Sequence, residues 1–226
     1  MRIPASLLLL ALLSGPLSVS AEEITVETIT DSYGLPLAYI YLSGGREIAR
    51  QNVSAMQPFD LDQIPAGVPD GVITFHHADG FRMEVPREDG KVNGIVKGYD
   101  PGGKLTFEEH YIDGKPGGTS KEYYASGQVA DERTRQEGGP GKTRRVFYKN
   151  GTLKSEEDAS EGKPRHITSY DRDGRLSMEQ VWEGGKYVIR YYRAGRLNIE
   201  KTQIGRKVVN VKEYDDKGDL VSDTDY

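Results

Sequence analysis

From about residue 95 to the C-terminus one pattern of apolar and polar positions recurs with little change in length, each copy broken by glycine. The breaks fall in a fixed frame. An aromatic residue stands four positions before a glycine and an aliphatic residue two positions after it, at Tyr99/Gly103/Leu105, Tyr123/Gly127/Val129, Phe147/Gly151/Leu153, Tyr170/Gly174/Leu176, Tyr191/Gly195/Leu197 and Tyr214/Gly218/Leu220. Successive glycines lie 24, 24, 23, 21 and 23 residues apart. A period of this length is the signature of a repeat array.

Within one copy, Ala125-Ser126-Gly127 predicts a three-residue hairpin loop: a type I turn closed by a left-handed residue, where glycine carries no steric cost. Pairing about Ser126 then sets Tyr123 opposite Val129 and Lys121 opposite Asp131. The same register sets Tyr191 opposite Leu197, Ile189 opposite Ile199 and Lys97 opposite Phe107. A second turn separates the copies, at Asp113-Gly114-Lys115-Pro116-Gly117, Glu137-Gly138-Gly139-Pro140-Gly141, Glu161-Gly162-Lys163-Pro164 and Glu183-Gly184-Gly185-Lys186. The expectation is an all-β, elongated antiparallel hairpin array of about 12–16 short strands. A single hairpin is marginal alone, so the aromatic and aliphatic positions should form one seam buried by stacking.

Ahead of the array, residues 1–21 read as a signal peptide: Arg2, an apolar run Leu7–Leu13, and Val19-Ser20-Ala21 before two glutamates. Cleavage after Ala21 and export to a periplasm are the expectation. Residues 22–70 read as strands and a linker. Ile24–Ile29 alternates, Tyr41 with Gly45 suggests a decayed copy, and Pro58–Pro69 is a Pro-rich linker or crossover. Residues 71–94 read as a degenerate capping repeat with His76 and Arg82 at its two core positions. Residues 95–226 hold six full copies.

The copies Glu122-Tyr123-Tyr124-Ala125-Ser126-Gly127-Gln128-Val129 and Val146-Phe147-Tyr148-Lys149-Asn150-Gly151-Thr152-Leu153 resemble the MORN-repeat variant family. The likeness covers 95–226 well, 71–94 weakly and 22–70 poorly. It implies a β-hairpin ladder acting as an interaction module. Bacterial members are often labelled antitoxin components. An exported member looks like the periplasmic immunity proteins that neutralise antibacterial effectors, secreted phospholipases among them. The implied partner is therefore a cognate toxin or effector. The other reading is an envelope module binding peptidoglycan or lipid head groups, with a membrane surface the less favoured partner.

Composition narrows the chemistry. There is no cysteine, hence no disulfide, lipobox or thiolate. The net charge is −5, or −6 without Arg2, which argues against nucleic acid. Charged residues at 29% against 36% hydrophobic suit a thin sheet better than a compact domain. Gly138-Gly139-Pro140-Gly141-Lys142-Thr143 superficially resembles a phosphate loop, but Gln136 stands where that motif needs its first glycine. His76, His77, His110 and His166 lack metal-ligand spacing, and no nucleophile elbow occurs. The chain is expected to have no catalytic residue, no metal and no cofactor. Two features point to partner binding. Tyr124, Tyr148 and Tyr192 each follow a seam aromatic, so they should form a row on the opposite face. Arg144 and Arg145, with Lys142 and Lys149, make a local basic cluster.

Overall fold

The computed structural model describes residues 23–53, 61–77, 79–135, 142–160 and 163–226. The signal-peptide segment 1–21, Pro58 and the turn Gly138–Gly141 lie outside the described residues. Among the described residues, apart from one 3₁₀ turn at Leu61–Gln63, the regular structure is all strand, in a single long mixed sheet of 19 strands. This exceeds the 12–16 expected from six hairpins and the N-terminal portion, because residues 24–92 contribute six strands and Lys115–Pro116 adds a short one between copies.

The first of these strands are β1 (Ile24–Thr30), β2 (Pro36–Ser43), β3 (Arg46–Asn52), β4 (Gly71–His76), β5 (Arg82–Glu88) and the two-residue β6 (Lys91–Val92). Their order across the sheet is β3, β2, β1, β4, β5. β1 and β4 pair in parallel with β2 and β3 between them in the chain, so β3 and β4 are joined by a crossover rather than a tight turn. That crossover packs Leu61, Ile64 and Val68 onto one face of the sheet, against Ile24, Val26, Tyr39, Tyr41, Ile73, Phe75, Val85 and Val96. Tyr39 and Tyr41 meet Phe75 edge-on, at 6.4 and 6.1 Å between ring centroids. Burial of each such side chain contributes about 1.5–3 kcal/mol, so the deepest core lies here and not in the repeats. Arg87, 5% exposed, pins the crossover by donating to the carbonyls of Val68, Pro65 and Gly90.

Beyond this core the sheet continues through β7 (Gly94–Tyr99), β8 (Leu105–Ile112), the two-residue β9 (Lys115–Pro116), β10 (Gly118–Tyr123), β11 (Val129–Arg135), β12 (Lys142–Phe147), β13 (Leu153–Ser160), β14 (Lys163–Tyr170), β15 (Leu176–Glu183), β16 (Lys186–Arg193), β17 (Arg196–Ile204), β18 (Lys207–Tyr214) and β19 (Leu220–Asp225). β5 pairs with β7, β8 with β10, and each strand from β10 pairs with the next. The six frame glycines, Gly103, Gly127, Gly151, Gly174, Gly195 and Gly218, all have φ between 78° and 93°. The turn chemistry is therefore as the sequence implies: Gly127 donates to the Tyr124 carbonyl, and Tyr124 donates to that of Gln128.

The register departs from a plain hairpin. Tyr123 faces Val129, but Glu122 faces Asp131, leaving Ala130 as an extra residue. The same one-residue bulge follows the aromatic pair in the other five hairpins, at Thr106, Lys154, Ser177, Asn198 and Val221. A bulge shifts every later pair by one, and a one-residue shift exchanges sheet faces. Lys121 therefore faces Glu132, not Asp131, and Lys97 faces Glu108, not Phe107. Phe107 instead lies over Gly98, where a Cβ would overlap its ring, and stacks on Phe81 at 6.2 Å.

The hairpin of β16 and β17 differs again. Arg193 faces Arg196 across a two-residue loop, Ala194-Gly195, with both φ values positive at 50° and 78°. That is the geometry of a type I′ turn. The arm is one residue shorter, so Tyr192 rather than Tyr191 faces Leu197, Tyr191 faces Ile199 and Ile189 faces Lys201.

Candidate interaction faces

The bulges place a row of ionisable residues directly across the sheet, one residue per strand. Cα partners run Glu84, Lys97, Glu108, Lys121, Glu132, Arg145, Glu156, Thr168, Glu179, Arg190, Glu200, Lys212, Asp223. Acid and base alternate without exception save at Thr168. Opposite charges directly across a strand pair stabilise it, and like charges do the reverse. Arg145 reaches Glu156 at 2.8 Å and Glu132 at 3.6 Å; Arg190 reaches Glu200 at 2.8 Å and Glu179 at 3.1 Å. At the break, His166 lies 3.3 Å from Glu179.

The aromatic seam sits on this same face, one step nearer the hairpin tips, and its hydroxyls tie into the row. Tyr99 donates to Glu84 at 2.9 Å, Tyr123 to Glu108 at 2.7 Å and Tyr192 to Glu179 at 3.4 Å. Burial and the Glu108 carboxylate push the Tyr123 hydroxyl up to about 12. Burial alone would raise the carboxyls of Glu84 and Glu179. Hydrogen bonds from Arg82 and Tyr99 to the first, and from Arg190 and His166 to the second, outweigh it and hold both below the usual carboxylate range. The seam residues Tyr99, Leu105, Tyr123, Val129, Phe147, Leu153, Tyr170, Leu176, Leu197 and Tyr214 are half-buried, and Leu220 is 53% exposed. The seam is thus no dry core, and its tyrosines contribute polar bonds as well as apolar area.

The expected tyrosine row does not form. Tyr192 takes the seam position, because the short loop shifts its frame, and Tyr191 is the residue on the opposite face. Tyr124 and Tyr148 do stand beyond the seam, half-buried. Their hydroxyls reach into the next hairpin, Tyr124 donating to the Phe147 carbonyl at 2.6 Å and Tyr148 to the Tyr170 carbonyl at 3.0 Å. In three other copies this position is aspartate, whose carboxylate caps its own turn. Asp100 accepts from the amides of Gly102 and Lys104, Asp171 from Asp173 and Arg175, and Asp215 from Lys217 and Asp219. The position therefore either closes its own loop or clips to the neighbouring one.

The basic cluster is split between faces. Arg145 belongs to the charge row, whereas Arg144 projects from the other side, opposite Arg133 and Glu157. On that second face the alternation fails in three adjacent rows. Glu122 faces Asp131, Arg133 faces Arg144, and Arg135 faces Lys142. Two of these like-charge pairs compensate each other. Asp131, 7% exposed, accepts from Arg144 Nε and Nη2 at 2.9 and 2.6 Å and contacts Arg133 Nε at 3.1 Å, and Arg133 also reaches Glu122 at 3.3 Å. Hydrogen bonding to Asp131 raises the Arg144 guanidinium further above its already high value.

This face is also grooved. One groove of about 410 Å³ runs past Phe107, Glu122, Asp131 and Arg133, and another of about 290 Å³ past Arg133, Arg135, Lys142, Arg144 and Glu157. Farther along, the same face turns apolar, with Ile167, Met178, Ile189, Tyr191 and Ile199 on successive strands. Part of the charge row is visible in the sequence. A basic residue stands two before the frame aromatic in four copies, and an acid three after the aliphatic in all six; Arg190 joins the row because the short loop puts Tyr192 at the seam.

Fold and faces together define a β-hairpin repeat protein whose two surfaces differ in chemistry. Residues 92–113 and 116–136, the hairpins of Gly103 and Gly127, match the model of the MORN repeat variant. Comparison of the chain with curated proteins returns no match. Repeats of this kind typically mediate binding to proteins or to membrane lipids.

Proposed function

We propose that the chain is an exported, non-enzymatic binding module that blocks a partner protein, and that the partner is a toxic effector against which it confers immunity in the periplasm. The observation that carries the reading is the asymmetry of the faces. One carries alternating charges that pair along the row, while the other keeps like-charge pairs and an apolar strip; both are grooved, the charge-row face by a groove of about 610 Å³ past Glu108, Lys121, Glu132 and Arg145. The signal-like segment 1–21 supports export, and the likeness to bacterial antitoxin repeats supports the choice of effector, a secreted phospholipase being one candidate.

Co-expression with the product of the adjacent gene tests this. Protection of the cells and a complex on size exclusion are the expected results; neither appearing would sink the proposal. Sedimentation with peptidoglycan or liposomes separates it from an envelope-binding role, for which co-sedimentation without a protein complex would speak.

A further inference from the structure

Arg135 and Lys142 are Cα partners on the grooved face, both exposed, and among the described residues neither has an ionic partner. Directly opposed like charges destabilise a strand pair. Elsewhere the chain avoids the arrangement along the charge row and compensates it at Asp131, and it recurs at the hairpin tip where Arg193 faces Arg196. Here, among the described residues, nothing offsets it, and unlike the hairpin tip the pair lies beside the 290 Å³ groove and next to two arginines whose guanidinium groups Asp131 already holds in place. An arginine so fixed loses less freedom when it meets an anionic group. The row containing Arg133 and Arg144 then passes through Glu157 to Ile167, Gln180 and Ile189.

From this juxtaposition we propose that the grooved face binds an extended, acidic segment of a partner protein, with carboxylates on Arg135, Lys142 and Arg144 and apolar side chains running on toward Ile167 and Ile189. The inference rests on the protein-binding reading above and specifies its contact. At about 4.8 Å per strand, β11 to β16 span about 24 Å, the length of about seven extended residues. An anionic bilayer fits less well. It would present one plane of charge to a chain of net charge −5, whereas a narrow segment meets, within a Debye length of about 8 Å, a groove whose lining sets Arg133, Arg135, Lys142 and Arg144 against Glu157.

Fluorescence anisotropy on the full chain tests the proposal. The probe is a labelled nonapeptide of four aspartates followed by alternating leucine and serine. Its controls are the same peptide with lysine for aspartate, and vesicles of phosphatidylglycerol in phosphatidylcholine. The aspartate peptide should bind, and Arg135→Glu/Lys142→Glu should weaken it at least tenfold, with Arg206→Glu in a distant hairpin loop having no effect. Circular dichroism checks folding; if the double reversal unfolds the chain, Arg135→Gln/Lys142→Gln should still weaken binding several-fold. Unchanged affinity in the folded double variant, equal binding of the lysine peptide, or vesicle binding that the aspartate peptide cannot displace would each overturn it. An effector complex that forms equally well with the double variant overturns this contact while leaving the protein-binding reading intact; no effector complex with the wild-type chain overturns that reading and leaves the peptide titration to be judged separately.

Discussion

Tyr123 donates its hydroxyl proton to the Glu108 carboxylate at 2.7 Å, across the junction between one repeat hairpin and the next. A hydrogen bond to a charged acceptor contributes about 1.5–3 kcal/mol. With both groups only half-buried, Tyr123→Phe should cost about 1.5 kcal/mol, read from urea unfolding near pH 8. The raised hydroxyl fixes the sign with pH. Its contribution is fully present below the unfolded value of 10.0 and is lost as pH rises toward about 12. The difference between wild type and Tyr123→Phe should therefore shrink between pH 10 and 12; a constant difference across that window would show the bond contributes nothing.

Arg190 bridges Glu179 and Glu200 within the charge row, with all three side chains less than a third exposed. A double-mutant cycle between Arg190→Met and Glu200→Gln should return a coupling of about 1 kcal/mol, above the usual value for an exposed pair. Glu179 also sets an acid limit. Its folded value is depressed, so its stabilisation is present above the ordinary value of 4.5 and is lost as pH falls through the lower folded value. Glu179→Gln should flatten the loss of stability below pH 4.5, and an unaltered acid limb would assign it to other carboxylates.

Thr168 is the one position where the row lacks a base, and it stands between Glu156 and Glu179. Thr168→Arg should complete the alternation and stabilise the chain by about 0.5 kcal/mol at low salt. At 1 M salt, where screening sets in within about 3 Å, most of the gain should vanish. A gain that persists in high salt would point to packing by the arginine stem rather than charge.

The repeat frame was legible because it rests on local chemistry: an aromatic, a glycine with positive φ and an aliphatic residue. What followed from it was wrong wherever the bulge intervened. Ala130 and its five counterparts carry no distinctive residue type, so nothing at those positions signals that pairs beyond the aromatic slip by one. That slip moves Lys121 from Asp131 to Glu132 and thereby creates the charge row. The N-terminal core was hidden for another reason. Tyr41, fully buried, packs against Phe75 of a strand reached through a crossover, and a parallel pairing at that separation leaves no periodic trace. At the candidate site, Arg144 was visible as part of a basic cluster. Its separation from Arg145 follows from strand alternation, but its approach to Asp131 depends on the register of β11 with β12, which no single residue announces.

Ala194 shows how much the copy containing Tyr191 and Tyr192 depends on its loop. It holds φ at 50°, a conformation that costs an L-residue about 1–2 kcal/mol, within a two-residue turn that wants positive φ at both positions. Ala194→Gly removes that cost but increases the freedom of the unfolded chain, an effect of about 0.4–1 kcal/mol in the other direction. The net expectation is a stabilisation of about 0.5 kcal/mol. Ala194→Asn, which tolerates the left-handed region without glycine's flexibility, should match or exceed it. Ala194→Val should lose at least 1 kcal/mol, since a β-branched residue at positive φ is strongly disfavoured. Thermal unfolding of the three variants gives the order, and a valine variant as stable as wild type would mean that the loop relaxes to a longer turn. In that case Tyr191 would return to Leu197 and Tyr192 would move to the grooved face, which cross-strand NOEs from the two tyrosines would report directly.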